Sequence, residues 1–222
     1  DQNSIYSIYT PYKKKWLSQL TPTDYKERSI KNYFGNFTKV KNVSSIISLK
    51  DIGFEVIDWN APAKLWSKAA MKAYKDKRDY PSVFGGTSQL GIHLRFGTTS
   101  IRQLVHQAVK ESADVWLSEL IWREFFMQIL WHFPTVVNKS FKPQYENILW
   151  RNKKSEFDLW ASGQTGYPLV DAGMRELNQT GYMHNRVRMV TASFLTKHLL
   201  THWYLGERYF AAHLLDYDLA AN

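Results

Sequence analysis

The chain has 222 residues, enough to bury one sizeable core, and its 29 Lys and Arg against 20 Asp and Glu give a net charge of +9. That charge favours an anionic partner, namely nucleic acid, a phosphorylated ligand or a membrane surface, although a basic protein without such a partner has the same composition. The absence of cysteine excludes disulfides and thiolate metal sites and favours an intracellular, cytoplasmic location.

The N-terminal part carries the weakest structural signals. Its first residues lack an initiator Met and the basic-then-apolar order of a signal peptide, so we expect the chain to be cut from something longer. Residues 1–20, with the basic run Lys13–Lys15, predict a linker, and residues 21–60 show little periodicity. A helical pattern begins near Ala63 and continues to about Arg78.

Helix signals dominate the rest of the chain, after a loop rich in small residues from Pro81 to Gly91. The predicted helices are about 100–112, capped by Thr99 or Ser100; 114–133, ended by Pro134; 155–162; one opened by Pro168 and closed by Gly181; one capped by Asn185 that runs to about Tyr204 and stops at Gly206; and a last one from Glu207. Strand signals are few, so the predicted class is all-α.

The helix predicted at 114–133 combines polar and aromatic residues on one face. The residues that share this face are Trp116, Glu119, Arg123, Phe126 and Leu130. One interpretation is an intrahelical ion pair between Glu119 and Arg123, which would add only a few tenths of a kcal/mol. The other is a ligand site, since exposed indoles at Trp116 and Trp122 are costly unless something stacks on them.

The chain contains nine Trp, well above ordinary usage. The indole carries a large apolar surface and stacks on flat rings. The simpler interpretation is a core rich in large aromatics. The sharper one is a site for planar ligands such as bases or a flavin, or a relay for electrons.

Two further segments are suited to bind anions. The loop Gly85–Gly91 is rich in small residues, so its backbone N–H groups and its hydroxyls can surround a phosphate, although an ordinary turn has the same composition. The stretch 181–189 places polar and cationic groups at a helix start, where free N–H groups favour anions.

We predict no metal site. His198 and His202 stand four residues apart, as paired metal ligands do, but no third ligand is evident.

Four strings together resemble the photolyase/cryptochrome family. They are WLSELIWREFF (116–126), TGYPLVDA (165–172), MHNRVRM (183–189) and DYDLAAN (216–222), within a resembling stretch from about Tyr74 to Asn222. The resemblance implies the all-helical FAD-binding domain of a class I cyclobutane pyrimidine dimer photolyase. Residues 21–222 would form this domain, incomplete at its C-terminus, and residues 1–20 would link it to a missing N-terminal α/β antenna domain.

The resemblance also implies an FAD site. Its residues would be Tyr74, Thr87, Ser88, Gln89, Leu90, Gly91, Trp116, Arg123, Asn185, Arg188, Asp216, Tyr217, Asp218 and Asn222. The loop 87–91 would hold the phosphates, and Arg188 and Asp216 would pair beside the flavin ring. Asp218 would bond to the ring, and Asn185 would lie near its reactive nitrogen.

A lesion site and an electron relay follow from the same resemblance. The pocket for a flipped-out pyrimidine dimer would be lined by Trp116, Glu119, Trp122 and Arg123, and the DNA contacts would include Arg78, Asn185 and Arg186. The catalytic residues would be Glu119, Asn185, Trp150 and Trp203, the two tryptophans being outer members of the chain that photoreduces flavin. The single His184 favours cyclobutane dimers, because (6-4) enzymes have paired histidines there.

Three positions depart from the family pattern: Gln89 replaces the usual Arg, Gly91 a usual Ser and Tyr182 a usual Trp. The chain also stops at Asn222, before the segment that supplies the tryptophan nearest the flavin. We therefore expect these 222 residues alone to bind FAD weakly or not at all, and to be inactive or weakly active. The antenna chromophore would belong to the missing domain.

The expected partner is damaged DNA, and the expected protein is a monomer with no membrane association and no metal. Two alternatives keep part of this account: a cryptochrome-like blue-light photosensor, and a flavin-free DNA-binding fragment. An unrelated helical protein would require every matched string to be coincidental.

Overall fold

The computed structural model describes residues 5–39, 46–55 and 66–222, and all regular secondary structure in these ranges is helical, which confirms the predicted class. The α-helices are α1 (Tyr9–Gln19), α2 (Pro22–Tyr25), α3 (Lys68–Lys77), α4 (Gly91–Arg95), α5 (Ile101–Lys110), α6 (Asp114–His132), α7 (Lys154–Ser162), α8 (Pro168–Thr180), α9 (Asn185–Ser193) and α10 (Trp203–His213). Short 3-10 helices cover Lys31–Asn36, Lys50–Ile52, Pro134–Val137 and Pro143–Asn147. The helix start predicted near Ala63 lies outside the described residues.

Helix α1 lies within the stretch that the sequence predicts to be a linker. Tyr9, Tyr12 and Trp16 recur at helical spacing, and all three pack against the first core cluster. The basic run Lys13–Lys15 obscures this pattern in the sequence. Residues 9–19 are therefore a helix packed on α6 and not an irregular connection, whereas a role in joining another domain stays a prediction.

Two hydrophobic clusters form the interior. The first joins α3, α5 and α6 through residues such as Met71, Leu104 and Ile121, with α1 packed against it. The second joins α7, α8, α9 and α10 around Trp160, which is fully buried and donates its indole N–H to the Thr191 carbonyl at 3.0 Å. Within the described residues, no helix has the length and apolarity that crossing a bilayer requires.

Several predicted helix ends are confirmed. Ser100 caps α5, its hydroxyl accepting the Gln103 N–H. Helix α6 ends at His132, immediately before Phe133 and Pro134, and Pro168 opens α8. Gly181, with φ +69°, ends α8 as a left-handed C-cap.

The predicted helix from Asn185 to Tyr204 is wrong in its length and in its N-cap. Helix α9 ends at Ser193, a π-helical turn follows over Phe194–His198, and α10 begins at Trp203. The N-cap of α9 is His184, whose Nδ1 accepts the N–H of the second helical residue at 3.2 Å.

Gly206 lies inside α10 and does not stop the preceding helix, as the sequence predicted. A Cβ on this glycine would lie 2.5 Å from Leu195 Cδ2, so its missing side chain allows α10 to approach the π-helical turn. The close approach, and not a helix end, explains why glycine occupies this position.

Candidate functional site at the seam between the two helical clusters

The segment from the end of α3 through α4 meets the C-terminal half of the chain along a seam. The Thr87 hydroxyl lies 3.2 Å from the Tyr182 hydroxyl, and the Arg95 Nε–H donates to the Tyr217 carbonyl at 2.8 Å. Arg186 reaches across the same seam to Asp79. The seam therefore brings together segments that lie about 100 residues apart in sequence, as their separations of 95, 107 and 122 residues show.

The predicted phosphate loop borders a narrow cavity between α3 and α6. Its lining includes Tyr74, Gly86, Thr87, Ser88 and Trp116. This cavity has no space for a water molecule, so it does not by itself hold any part of a dinucleotide. Burial, and secondarily the charge of Glu119, raises the pKa of Tyr74 to about 12.

Two residues of this loop have features that the sequence does not reveal. Gln89 has φ +51°, a left-handed conformation that is uncommon for a residue with a side chain. Leu90 is only 2% exposed and belongs to the first core cluster, so its side chain is part of the core.

Arg188 and Asp216 form the predicted ion pair, with Nη2 and Oδ2 2.9 Å apart. The Nε of Arg188 also donates to the Met183 carbonyl at 2.8 Å. The other carboxylate oxygen of Asp216, Oδ1, is buried without a hydrogen-bond partner within the described part of the chain. A buried acceptor without a donor is costly, and the position would gain from a ligand N–H.

Four charged residues form a continuous row that crosses the seam. Glu119 on α6 bonds to Arg78, Arg78 Nε lies 3.5 Å from Asp79 Oδ1, and Arg186 Nε lies 2.7 Å from the same oxygen. The intrahelical pair between Glu119 and Arg123 is absent among the described contacts, because Arg78 takes its place. The hydrogen bond from Arg186 lowers the pKa of Asp79 below its usual value.

The start of α9 places the predicted DNA-contacting residues next to this row. Asn185 is the first residue of α9 and is exposed, and Arg186 follows it. Burial, and secondarily the Arg186 charge, lowers the pKa of His184, so this histidine is neutral at pH 7. Its Nδ1 accepts a backbone N–H, which places the proton of the neutral ring on Nε2.

Two of the three tryptophans of α6, Trp116 and Trp122, differ in environment. Trp116 is 5% exposed and belongs to the core, so the argument from an exposed indole is wrong for this residue. Trp122 stacks on Tyr9 of α1, with ring centroids 3.5 Å apart and planes 7° apart, and its ring is also stacked near Phe126 at 5.4 Å. Tyr9 is thus part of the surroundings of the predicted lesion pocket.

Trp150 and Trp203 are connected through a histidine. The His202 ring centroid lies 5.2 Å from that of Trp150 and 5.5 Å from that of Trp203. His202 caps α10, its Nδ1 accepting the Tyr204 N–H at 3.2 Å. The two indoles are therefore neighbours of one imidazole, which the sequence indicated only as half of a weak metal motif.

The remaining predicted cofactor residues lie at the end of the chain. Tyr217 donates its hydroxyl to Glu207 Oε1 at 2.5 Å, and burial, followed by that hydrogen bond, raises its pKa. The side chain of Asp218 accepts the Ala220 N–H at 3.1 Å, and Asn222 N–H donates to the Asp218 carbonyl at 3.0 Å. These residues form a turn that continues directly from Asp216.

No group of three His, Cys, Asp or Glu side chains is arranged to hold a metal ion in the ranges 5–39, 46–55 and 66–222. His198 lies in the π-helical turn and contacts Phe194, whereas His202 begins the next helix.

Sequence reasoning missed three residues of the seam. Asp79 bonds both Arg186 and Arg78, Tyr182 contacts Thr87 and lies under the Arg188 guanidinium at 5.9 Å, and Tyr9 stacks on Trp122. An acidic residue directly after Arg78 in a lysine-rich helix end was the available signal for Asp79.

The donor set fits a flavin dinucleotide. A small-residue loop with two hydroxyls borders the cavity, and the Arg188–Asp216 pair carries an unsatisfied acceptor. Gly91 and Asp216 also meet closely, since a Cβ on Gly91 would overlap Asp216 Oδ2, which brings the loop and the ion pair into one site.

The comparisons with known proteins agree with this geometry. Residues 116–222 match the family model described as the FAD binding domain of DNA photolyase. A deoxyribodipyrimidine photo-lyase of Salmonella typhimurium is 39% identical over 99% of this chain and 50% of its own length. The chain spans about half the length of the curated relatives it matches, 50% in the Synechococcus and Salmonella proteins.

Solved structures give the same result. A class III photolyase from Agrobacterium tumefaciens has a TM-score of 0.75 and 31% identity, covering 100% of this chain and 50% of that one. A Synechocystis cryptochrome has a TM-score of 0.66 and 34% identity, covering 71% of this chain and 34% of that one. The chain belongs to the photolyase/cryptochrome family.

Proposed function

We propose that the chain is the FAD-binding and lesion-binding part of a class I deoxyribodipyrimidine photolyase, which uses light to split cyclobutane pyrimidine dimers in DNA. Residues 21–222 would form this domain, and residues 1–20 would join it to an antenna domain that holds a second chromophore. The protein would act as a monomer in the cytoplasm, with damaged DNA as its partner and without a metal. The observation that carries the proposal is the row Glu119–Arg78–Asp79–Arg186, which joins the proposed lesion pocket to two guanidinium groups.

The arginines supply the sequence-independent part of binding. Arg78 and Arg186 would contact phosphates on either side of the lesion, and the net charge of +9 would add to duplex attraction. Because dimerised bases already stack and pair poorly, extruding them costs less than extruding normal bases.

The pocket residues would then act on the extruded dimer. Trp122 would stack on the bases, and Glu119 would accept hydrogen bonds from their N–H groups and hold them in position. Asn185, exposed at the start of α9, would lie between dimer and cofactor. The isoalloxazine ring of the flavin would be held by Arg188, Asp216 and Asp218 as its polar partners.

A reduced flavin held by these residues would, on illumination, supply the electron that opens the cyclobutane ring. Trp150 and Trp203 would pass an electron inward to restore the reduced state, with His202 near both of their rings.

The proposal is tested with the complete protein and a duplex that contains one thymine dimer. Glu119→Gln should lower the rate of light-driven repair by about tenfold or more, since the carboxylate is the acceptor for the bases. Glu124→Gln removes the same charge from the same helix and should repair at the wild-type rate. Equal repair rates in the two variants would exclude Glu119 from the lesion site.

The similarity to a Synechocystis cryptochrome favours a second candidate, a blue-light photosensor. A protein that retains FAD and photoreduces it but leaves dimers unrepaired would have that function. A protein that binds DNA and never retains flavin would instead be a DNA-binding module.

A further inference from the structure

The guanidinium of Arg78 has two kinds of possible anionic partner, the carboxylates of this chain and, in the proposed complex, a DNA phosphate. In the structure it bonds to Glu119 and lies 3.5 Å from Asp79 (Nε to Oδ1). Its Cζ also lies 5.2 Å from the Tyr74 ring centroid, a cation–π distance that keeps the group at the seam. In the proposed complex, the same guanidinium contacts a DNA phosphate.

We propose that Arg78 is a shared counterion that couples backbone contact to lesion recognition. In the free protein, Arg78 neutralises Glu119. When a DNA phosphate captures Arg78, the Glu119 carboxylate becomes available to accept hydrogen bonds from pyrimidine N–H groups. This inference rests on the proposed function, because it assigns a control to the same site.

The solvent exposures of the charged side chains in this row support the exchange of partners by Arg78. The side chains of Arg78 and Glu119 are 17% and 32% exposed, so their attraction is screened less than that of a surface pair, yet water and ligands can still reach both. Asp79, at 56% exposed, also contacts Arg78 and holds Arg186 close by. A phosphate entering here meets two guanidinium groups, each of which must leave a carboxylate partner.

The exchange predicts non-additive effects on binding to undamaged DNA. Removing the Glu119 charge frees Arg78 for phosphate, so Glu119→Gln should raise affinity for an undamaged duplex about fivefold in a protein with Arg78. In the Arg78→Met background there is no guanidinium to release, and the same substitution should change affinity less than about twofold. Arg78→Gln provides a second background that keeps a polar side chain.

The experiment measures the dissociation constant of the complete protein for an undamaged duplex, in wild type, both single variants and the double variant. Glu124→Gln is the control for loss of charge from α6, because Glu124 bonds to Trp16 and not to Arg78. The effect of Glu124→Gln on this dissociation constant should be equal in the wild-type and Arg78→Met backgrounds. Urea unfolding of the same four proteins gives a double-mutant cycle for the free energy of unfolding. This cycle should show that Arg78 and Glu119 stabilise each other.

Equal effects of Glu119→Gln in the wild-type and Arg78→Met backgrounds would overturn the shared counterion, because simple charge repulsion predicts that result. DNA binding with additive effects would overturn this inference alone. A wild-type protein that fails to bind any duplex at low salt would overturn the proposed function as well.

Discussion

The carboxylate of Asp216 occupies the space that a side chain at Gly91 would need. A Cβ built on Gly91 would overlap Oδ2 and would lie 3.0 Å from Cβ of Asp216. Because Oδ2 is the atom that pairs with Arg188, the glycine controls whether the ion pair can form.

Gly91→Ala should displace Asp216 and weaken its pair with Arg188. We expect a fall of about 1–3 kcal/mol in the free energy of unfolding, measured by urea denaturation, together with weaker retention of FAD by the complete protein. Gly35→Ala is the matched control, since a Cβ there meets no atom within 4 Å. Unchanged stability and flavin retention in Gly91→Ala would show that Asp216 moves aside at no cost.

The stack of Tyr9 on Trp122 should contribute to both stability and pocket geometry. Tyr9→Phe keeps the ring but removes the hydroxyl that donates to the Ser118 carbonyl at 2.9 Å, so it should cost about 1 kcal/mol. Tyr9→Leu also removes the aromatic stack, which adds about 0.5–1.5 kcal/mol. Urea denaturation followed by tryptophan fluorescence measures both. Equal costs for the two substitutions would mean that the stack does not stabilise α1 on α6.

Asp171 should stabilise the fold in a pH-dependent way. Burial tends to raise its pKa, but hydrogen bonds from the Thr165 hydroxyl and from the N–H groups of Thr165 and Gly166 outweigh it and lower the pKa below the usual 3.8. A depressed folded-state pKa stabilises the protein at pH above about 3.8, and this contribution is lost as the pH falls through the folded-state value.

Asp171→Asn should therefore lower the free energy of unfolding by about 1–3 kcal/mol at pH 7, because one buried acceptor becomes a donor facing N–H groups. The difference from wild type should shrink below pH 3.8. Asp158→Asn, on the exposed face of α7, is the control and should change stability by less than about 0.5 kcal/mol. A pH-independent difference would contradict the assignment to ionised Asp171.

Trp203 should matter for light-driven reduction of the flavin and not for repair itself. In the complete protein, Trp203→Phe should abolish photoreduction, while repair by chemically reduced enzyme continues at the wild-type rate. Trp131→Phe is the control, because Trp131 is 82% exposed at the end of α6. Photoreduction that survives in Trp203→Phe would remove this residue from the electron path.

The sequence predicted the helical class and the ends of α6 and α8 because their signals are local. Pro134 and Pro168 act on their own backbones, and Gly181 adopts the left-handed conformation that ends α8. It failed at Gly206, where glycine serves a contact with Leu195 that lies 11 positions earlier in the chain. Such contacts depend on tertiary packing, which the helix and turn propensities of single residues do not predict.

The candidate site was likewise predictable only where its signals are local in the sequence. The strings around Glu119, Asn185 and Asp216 identified residues by family resemblance, and the Arg188–Asp216 pair confirms one expected contact. One of the two interpretations paired Glu119 with Arg123, because the spacing of four within a helix was visible and the approach of Arg78 from the end of α3 was not. The contact of His202 with Trp150 likewise depends on how α10 packs, which the sequence did not reveal.

Light-dependent repair by the wild-type protein tests the central claim most directly. The complete protein, loaded with FAD and reduced, is mixed with an oligonucleotide containing one thymine dimer and kept either in blue light or in the dark. The account predicts restored thymines in the light and an intact dimer in the dark. An intact dimer in the light, from a protein that holds flavin and binds the oligonucleotide, would contradict it.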